Sequence, residues 1–175
     1  MTDVSAPPQL LPVPPFDLIV FGAAGDLSLR KLIPSLFHRW RDGQIPEHSK
    51  IIGVSRTEMS EDAFRSLALD GYRKFHAGEK AADDEWGRFA RQLFYVELDG
   101  VDAASNWKGL SDRLGAPSAK QRIFYLALPP SIYGEVSRNI EAAGLKTPGA
   151  RIVLEKPIGN DLESAKAVND AGTYA

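Results

Sequence analysis

The chain has 175 residues, 43% apolar and 25% charged, the balance of a soluble globular domain long enough to bury a sizeable core. Its 21 basic and 23 acidic residues leave a net charge of −2, which advertises no nucleic-acid partner, and the lack of cysteine excludes a disulfide framework, a thiolate nucleophile and cysteine-based metal sites. No segment reads as a signal peptide and no apolar run is long enough to span a bilayer, so the expectation is a cytoplasmic protein with no membrane partner and no metal.

Residues 1–15 hold five of the twelve prolines and are expected to form a disordered or extended leader. Strand and helix patterns then alternate. Residues 16–21 read as a first strand, and 29–41 as a helix with Leu32, Ile33, Leu36, Phe37 and Trp40 on one face, stopped by Asp42-Gly43. A second strand covers 50–54. Ser60 caps a helix running to about residue 75, with Glu61 and Asp62 in its first turn to suit the helix dipole. A short helix over 81–90, a strand over 93–98, a helix over 105–114 and a strand over 122–128 come next, the last stopped by Pro129-Pro130. Ser131 caps a helix over 133–143 that ends at Gly144. Residues 151–154 form a fifth strand, and 161–170 begin another helix.

Five short apolar strands separated by helices define an α/β fold, a doubly wound, mainly parallel sheet of Rossmann type with helices on both faces. Ligands of such sheets sit beyond the carboxyl ends of the strands, where the strand order reverses. The first strand ends in Gly22-Ala23-Ala24-Gly25-Asp26-Leu27-Ser28, a G-x-x-G-x-x-S variant of the dinucleotide turn. Its glycines let the backbone approach a pyrophosphate, whose charge is met by free N–H groups and the positive end of the helix dipole. The alternative is a glycine-rich turn that serves packing alone.

The second strand ends in Ser55-Arg56-Thr57, where NAD-binding domains commonly place a carboxylate for the ribose 2′-hydroxyl. A guanidinium there suits a 2′-phosphate instead and favours NADP over NAD, unless Arg56 is simply a solvated loop residue. Asp99-Gly100, ending the third strand, either borders the adenine or is plain turn chemistry. Pro129-Pro130 stiffen the loop after the fourth strand, where a nicotinamide ring would need support. After the fifth strand, Lys156 in Glu155-Lys156-Pro157 offers an ammonium to a sugar hydroxyl, a phosphate or the coenzyme's carboxamide region. Lys31, one turn past the glycines, either meets an anionic substrate group or belongs to a solvated helix face.

Three segments in order, Gly22 to Leu36, Phe124 to Tyr133 and Glu155-Lys-Pro-Ile-Gly159, together resemble the glucose-6-phosphate dehydrogenase family over residues 16–170. The resemblance implies a dinucleotide-binding domain over 16–175 that takes NADP. Residues 22–27 match the family's coenzyme turn, and Arg56 matches its arginine for the 2′-phosphate. Tyr133 matches a coenzyme-contacting tyrosine, and Lys156 a lysine touching both coenzyme and sugar phosphate. Pro157 matches a proline whose preceding bond is often cis, and Lys31 a lysine near the substrate. Ser28 stands where the family commonly has alanine, and Ile158 where it usually has phenylalanine.

The family's R-I-D-H-Y-L-G-K-E segment, which holds substrate-phosphate ligands and part of the catalytic dyad, does not occur in the sequence, nor does the large β-sheet domain that supplies a second histidine and the dimer interface. The expectation is a fragment or truncated product that is the coenzyme-binding part of an enzyme acting on glucose 6-phosphate. It would form homo-oligomers only with the further domain. His38, His48 and His76, the three histidines present, fall away from the expected coenzyme mouth, so no catalytic residue is expected in the chain. Two other readings compete: a non-catalytic NADP-binding module, and a sugar oxidoreductase of the glucose–fructose oxidoreductase type, which also carries E-K-P after its fifth strand. A short-chain dehydrogenase is disfavoured because Tyr133 is followed four residues on by Ser137, not lysine.

Overall fold

A computed structural model describes residues 13–78 and 83–155. The expected leader up to residue 12, Lys156 with the residues after it, and the expected helix over 161–170 lie outside the described residues.

Five strands build one sheet: β1 (Phe16–Phe21), β2 (Lys50–Ser55), β3 (Leu93–Glu97), β4 (Gln121–Leu126) and β5 (Arg151–Leu154). All four pairings are parallel and the order is β3-β2-β1-β4-β5. The chain winds outward from β1 through β2 to β3, then crosses back over β1 to place β4 and β5 on its other side. The strand order therefore reverses between β1 and β4, the doubly wound arrangement anticipated from the sequence.

Parallel strands need crossover connections, and here these are helical. Helices α1 (Ile33–Arg41), α2 (Glu61–Phe75) and α3 (Asp83–Ala90) cover one face, where Leu18, Val20, Ile51 and Leu93 meet Ile33, Phe37, Phe64, Tyr72 and Phe89. Helices α4 (Trp107–Leu114) and α5 (Tyr133–Ala142) cover the other, where Ile19, Phe21, Ile52, Val54 and Phe124 meet Trp107, Leu110, Val136 and Ile140. Alternate strand residues thus feed two cores, so β1 is apolar on both sides. Gly53 lets α2 sit tight on the sheet: a Cβ there would stand 2.5 Å from the Phe64 ring and 3.0 Å from the Ala23 methyl. Among the described residues cover thins at the far edge, where Val153 of β5 is 38% exposed. No helix among the described residues is long and apolar enough to cross a membrane.

Helix starts depart most from the sequence reading. The first helix opens at Asp26, not at residue 29, and passes through a π-helical turn, Ser28–Leu32, before α1. Pro34 explains the wide turn. It lacks the N–H that would bond the Arg30 carbonyl, and its ring needs that carbonyl moved aside. Ser131 does not cap α5. Pro130 can occupy a first helical turn at no hydrogen-bond cost, so a 3₁₀ turn, Pro130–Ile132, forms there and takes Ser131 inside it. For α4 the cap is Asn106, whose Oδ1 accepts from the Gly109 amide at 3.1 Å, while the Ser105 hydroxyl instead accepts from the Asp99 amide at 2.9 Å. Ser60 caps α2 as expected, accepting from the Ala63 amide at 3.1 Å. Strand β4 ends at Leu126, two residues early, because the chain bends away once the Ala127 amide has bonded the Phe21 carbonyl.

Phe37 sits at the centre of the α1–α2–α3 layer, fully buried, with ring centroids 5.0 Å from Trp86, 5.2 Å from Tyr72 and 5.4 Å from Phe89. Replacing Phe37 with Ala is predicted to cost about 3–5 kcal/mol of stability, read as a lower denaturation midpoint with an unchanged slope.

Candidate coenzyme site

At the carboxyl end of β1 the chain turns in a space set by both neighbouring strands. Gly22 has φ +81°, and a Cβ on it would lie 2.2 Å from the Ala127 carbonyl oxygen beyond β4, so no other residue fits without movement. On the β2 side, the Gly22 and Ala23 amides both donate to the Val54 carbonyl, at 2.9 and 3.1 Å. The Gly22 carbonyl in turn accepts from the Gly25 amide at 3.0 Å and from the Ser28 hydroxyl at 2.9 Å. That leaves the amides of Ala24, Asp26 and Leu27 with no backbone carbonyl partner among the described residues, at the start of a helix. Unpaired N–H groups and the positive end of the helix dipole make this an anion-binding end.

The turn forms one end of a cleft of about 420 Å³ at the strand-order reversal, to which the carboxyl ends of β1 to β4 all contribute. Gly22, Ala24 and Gly25 line it with Ser55, Arg56, Thr57, Asp99 and Gly100. Phe21, Val54, Leu98, Val101, Leu128, Ile132 and Val136 give it an apolar floor and wall. The combination, a polar rim over an apolar slot, suits a ligand with phosphates and flat rings.

Individual residues reach this cleft in different ways. Arg56 is exposed at its rim, and its guanidinium has no hydrogen-bond or ion-pair partner among the described residues. Ala23 and Ser28 lie under the turn, both fully buried, with the Ser28 hydroxyl directed onto the Gly22 carbonyl. The Asp26 carboxylate is exposed and pairs with Arg30 at 3.2 Å, while Leu27 is half-buried behind it. Asp99 both lines the cleft and makes its own turn, its Oδ1 accepting from the Val101 amide at 3.1 Å. Tyr133 is buried, and its hydroxyl donates to the Glu155 carbonyl at 3.3 Å, tying the start of α5 to the residue before Lys156. Lys31 is exposed on the π turn and does not line the cleft.

The histidines lie elsewhere. His38 and His76 belong to the aromatic layer around Tyr72, the His76 ring stacked on Tyr72 at 5.3 Å, and His48 is exposed in the loop before β2. No group of three potential metal ligands occurs among the described residues.

The apolar floor escapes a residue-by-residue reading because Leu128, Ile132 and Val136 look like ordinary core positions. Only the helical spacing of Ile132 and Val136, close after the double proline, hints that α5 presents an apolar edge to the site.

A parallel sheet wound in this order, with a glycine turn at its reversal point and a cleft across the strand ends, defines a dinucleotide-binding domain. A family model described as "Glucose-6-phosphate dehydrogenase, NAD binding domain" matches residues 19–173, and the chain belongs to that family. Two curated relatives named glucose-6-phosphate 1-dehydrogenase, from Rhizobium meliloti and Gluconobacter oxydans, are 41% and 40% identical to it, each over 93% of this chain. The chain spans about a third of the length of these relatives. Among solved structures, glucose-6-phosphate 1-dehydrogenase from Mycobacterium avium superimposes with a TM-score of 0.79 at 28% identity, over 90% of this chain and 33% of that one. A glucose-6-phosphate dehydrogenase in complex with glucose 6-phosphate does so with a TM-score of 0.73, over 89% and 33%. The domain is one that binds a nicotinamide dinucleotide.

Gly22→Ala is predicted to cost at least about 2 kcal/mol, from the left-handed backbone and the Ala127 carbonyl together. Coenzyme affinity should fall with it, checked by denaturant unfolding and by coenzyme titration of the folded fraction.

Proposed function

We propose that these residues are the coenzyme-binding part of an NADP-dependent glucose-6-phosphate 1-dehydrogenase, which passes hydride from C1 of glucose 6-phosphate to NADP and yields 6-phosphogluconolactone for the oxidative branch of pentose phosphate metabolism. The observation that carries the reading is the cleft with two anion-seeking ends: turn amides at Ala24, Asp26 and Leu27, and the Arg56 guanidinium, none of which has a partner among the described residues. A dinucleotide with an internal pyrophosphate and a 2′-phosphate presents charge at two such points.

In this reading the turn amides hold the pyrophosphate and Arg56 forks onto the 2′-phosphate. Asp99 and Gly100 border the adenosine, and the Leu128–Pro129 wall supports the nicotinamide end. When bound, the nicotinamide supplies the hydride acceptor. Tyr133 steadies the strand end that leads to Lys156, through the Glu155 carbonyl. Lys156 and Lys31 are proposed to face the sugar phosphate, as their match to the family implies.

Oxidising an alcohol also needs a base within about 3 Å of the hydroxyl, directly or through one water. His38 and His76 are held in the aromatic layer on one face of the sheet, and His48 lies at the amino ends of the strands. The 175 residues alone are therefore proposed to bind NADP without turning over the sugar.

Two measurements test this. Arg56→Ala should weaken NADP binding by about 10- to 100-fold while leaving NAD binding within about twofold. The purified 175-residue chain should form no NADPH from NADP and glucose 6-phosphate, and turnover above a protein-free control would refute its assignment as a binding part only.

A further inference from the structure

Arg56 sits on an exposed loop, yet the backbone on either side of it is held from below by one buried side chain. Tyr95 lies on β3, 6% exposed, with its ring against Phe64 at a centroid distance of 5.1 Å. Its hydroxyl emerges at the end of the neighbouring strand, 2.7 Å from Ser55 Oγ and in contact with the Thr57 carbonyl oxygen. The Thr57 amide completes the circuit by donating to Ser55 Oγ at 3.2 Å.

The hydrogen count fixes the directions. The Thr57 carbonyl can only accept, so the phenol gives it its single proton. Ser55 then donates to the phenol oxygen, and the Thr57 N–H donates to Ser55. Every hydrogen is used once and the ring closes around Arg56. Burial raises the Tyr95 phenol above its ordinary pKa, with the Glu97 charge adding to the effect against the lowering by Ser55, so the group stays protonated and donating at neutral pH. The Ser55 hydroxyl, next to Arg56 in the sequence, is turned into this ring.

We infer that Tyr95 is a positioning residue for coenzyme choice: by clamping Ser55 and Thr57 it holds Arg56 at the cleft rim and sets the preference for the 2′-phosphorylated coenzyme. The inference rests on the NADP reading above. An arginine on a loop already ordered loses less freedom on meeting a phosphate, and that saving is realised only by a ligand that carries the phosphate. NAD, which does not use Arg56, gains nothing from the clamp.

Tyr95→Phe keeps the ring on Phe64 and deletes only the oxygen. Ser55→Ala opens the same circuit from the cleft side without touching the core. NADP and NAD are titrated separately against the full chain, its two ring variants and Arg56→Ala, with denaturation midpoints recorded for each. In Tyr95→Phe the affinity for NADP should fall by about 3- to 10-fold and that for NAD by less than about twofold. Should that variant not fold, a fall of about 3- to 10-fold in the ratio of NADP to NAD affinity in Ser55→Ala, a ratio that a direct contact shared by both coenzymes would not move, carries the inference.

Equal losses for the two coenzymes, or no loss for either, would overturn it if Arg56→Ala still weakens NADP selectively, and would leave the NADP reading standing. If Arg56→Ala leaves NADP affinity unchanged, the NADP reading falls and the clamp's role falls with it.

Discussion

The peptide unit of Gly22 is the point on which the site and much of the sheet's upper edge depend. Its amide is bound to β2, its carbonyl takes both the Gly25 amide and the Ser28 hydroxyl, and its α-carbon touches the backbone beyond β4. Three neighbours therefore constrain one residue without a side chain. Because β1 is the central strand, the turn inherits the rigidity of a strand paired on both sides, and its outward amides are held in place before any ligand arrives. A loop with the same glycines on an edge strand would lack that restraint.

The cleft arises from topology more than from any one motif. Reversal of strand order between β1 and β4 sends the chain away from the strand ends on both sides, so a groove opens over the strand ends, bordered by the β1 turn and by Leu128 and Pro129 beyond β4. The two cores make the groove asymmetric. The layer under α4 and α5 extends upward through Val136 and Ile132 as an apolar wall, whereas the β2 end supplies hydroxyls and a guanidinium. Polar groups and apolar surface thus lie on different parts of the groove.

Much of this architecture was legible in the sequence because parallel strands buried on two faces leave unmistakable apolar runs. Residues 16–21 and 151–154 fall at their expected limits, and the alternation of strand and helix correctly implied the sheet. Helix starts were harder, since several residues compete for each cap. Ser105 and Ser131 look as suitable as Asn106 or Ser60, and only the fold decides that Ser105 is spent on Asp99 and that Pro130 takes Ser131 into a tighter turn. Tyr95 was invisible as anything but a core residue, because its pattern of burial is that of any inward strand aromatic. Its distinguishing mark is a hydroxyl that crosses to the adjacent strand, a contact between residues 40 positions apart.

The π turn at Ser28–Leu32 makes the spacing between glycine turn and helix a matter of counting as well as chemistry. A π turn accommodates one residue more than an α turn, and each residue of α-helix turns the chain by about 100° around the helix axis. The wide turn therefore already absorbs one extra residue while keeping the glycines and the apolar stripe of α1 in phase. Removing one residue from it would let it close to an α turn with that phase kept, but would set the carbonyl four residues before Pro34 against the proline ring. Adding one would leave a surplus that the turn cannot take up, and either Phe37 and Leu36 would swing away from the sheet or the turn amides away from the cleft. In this segment an insertion is a rotation, and a deletion is a strain on the proline.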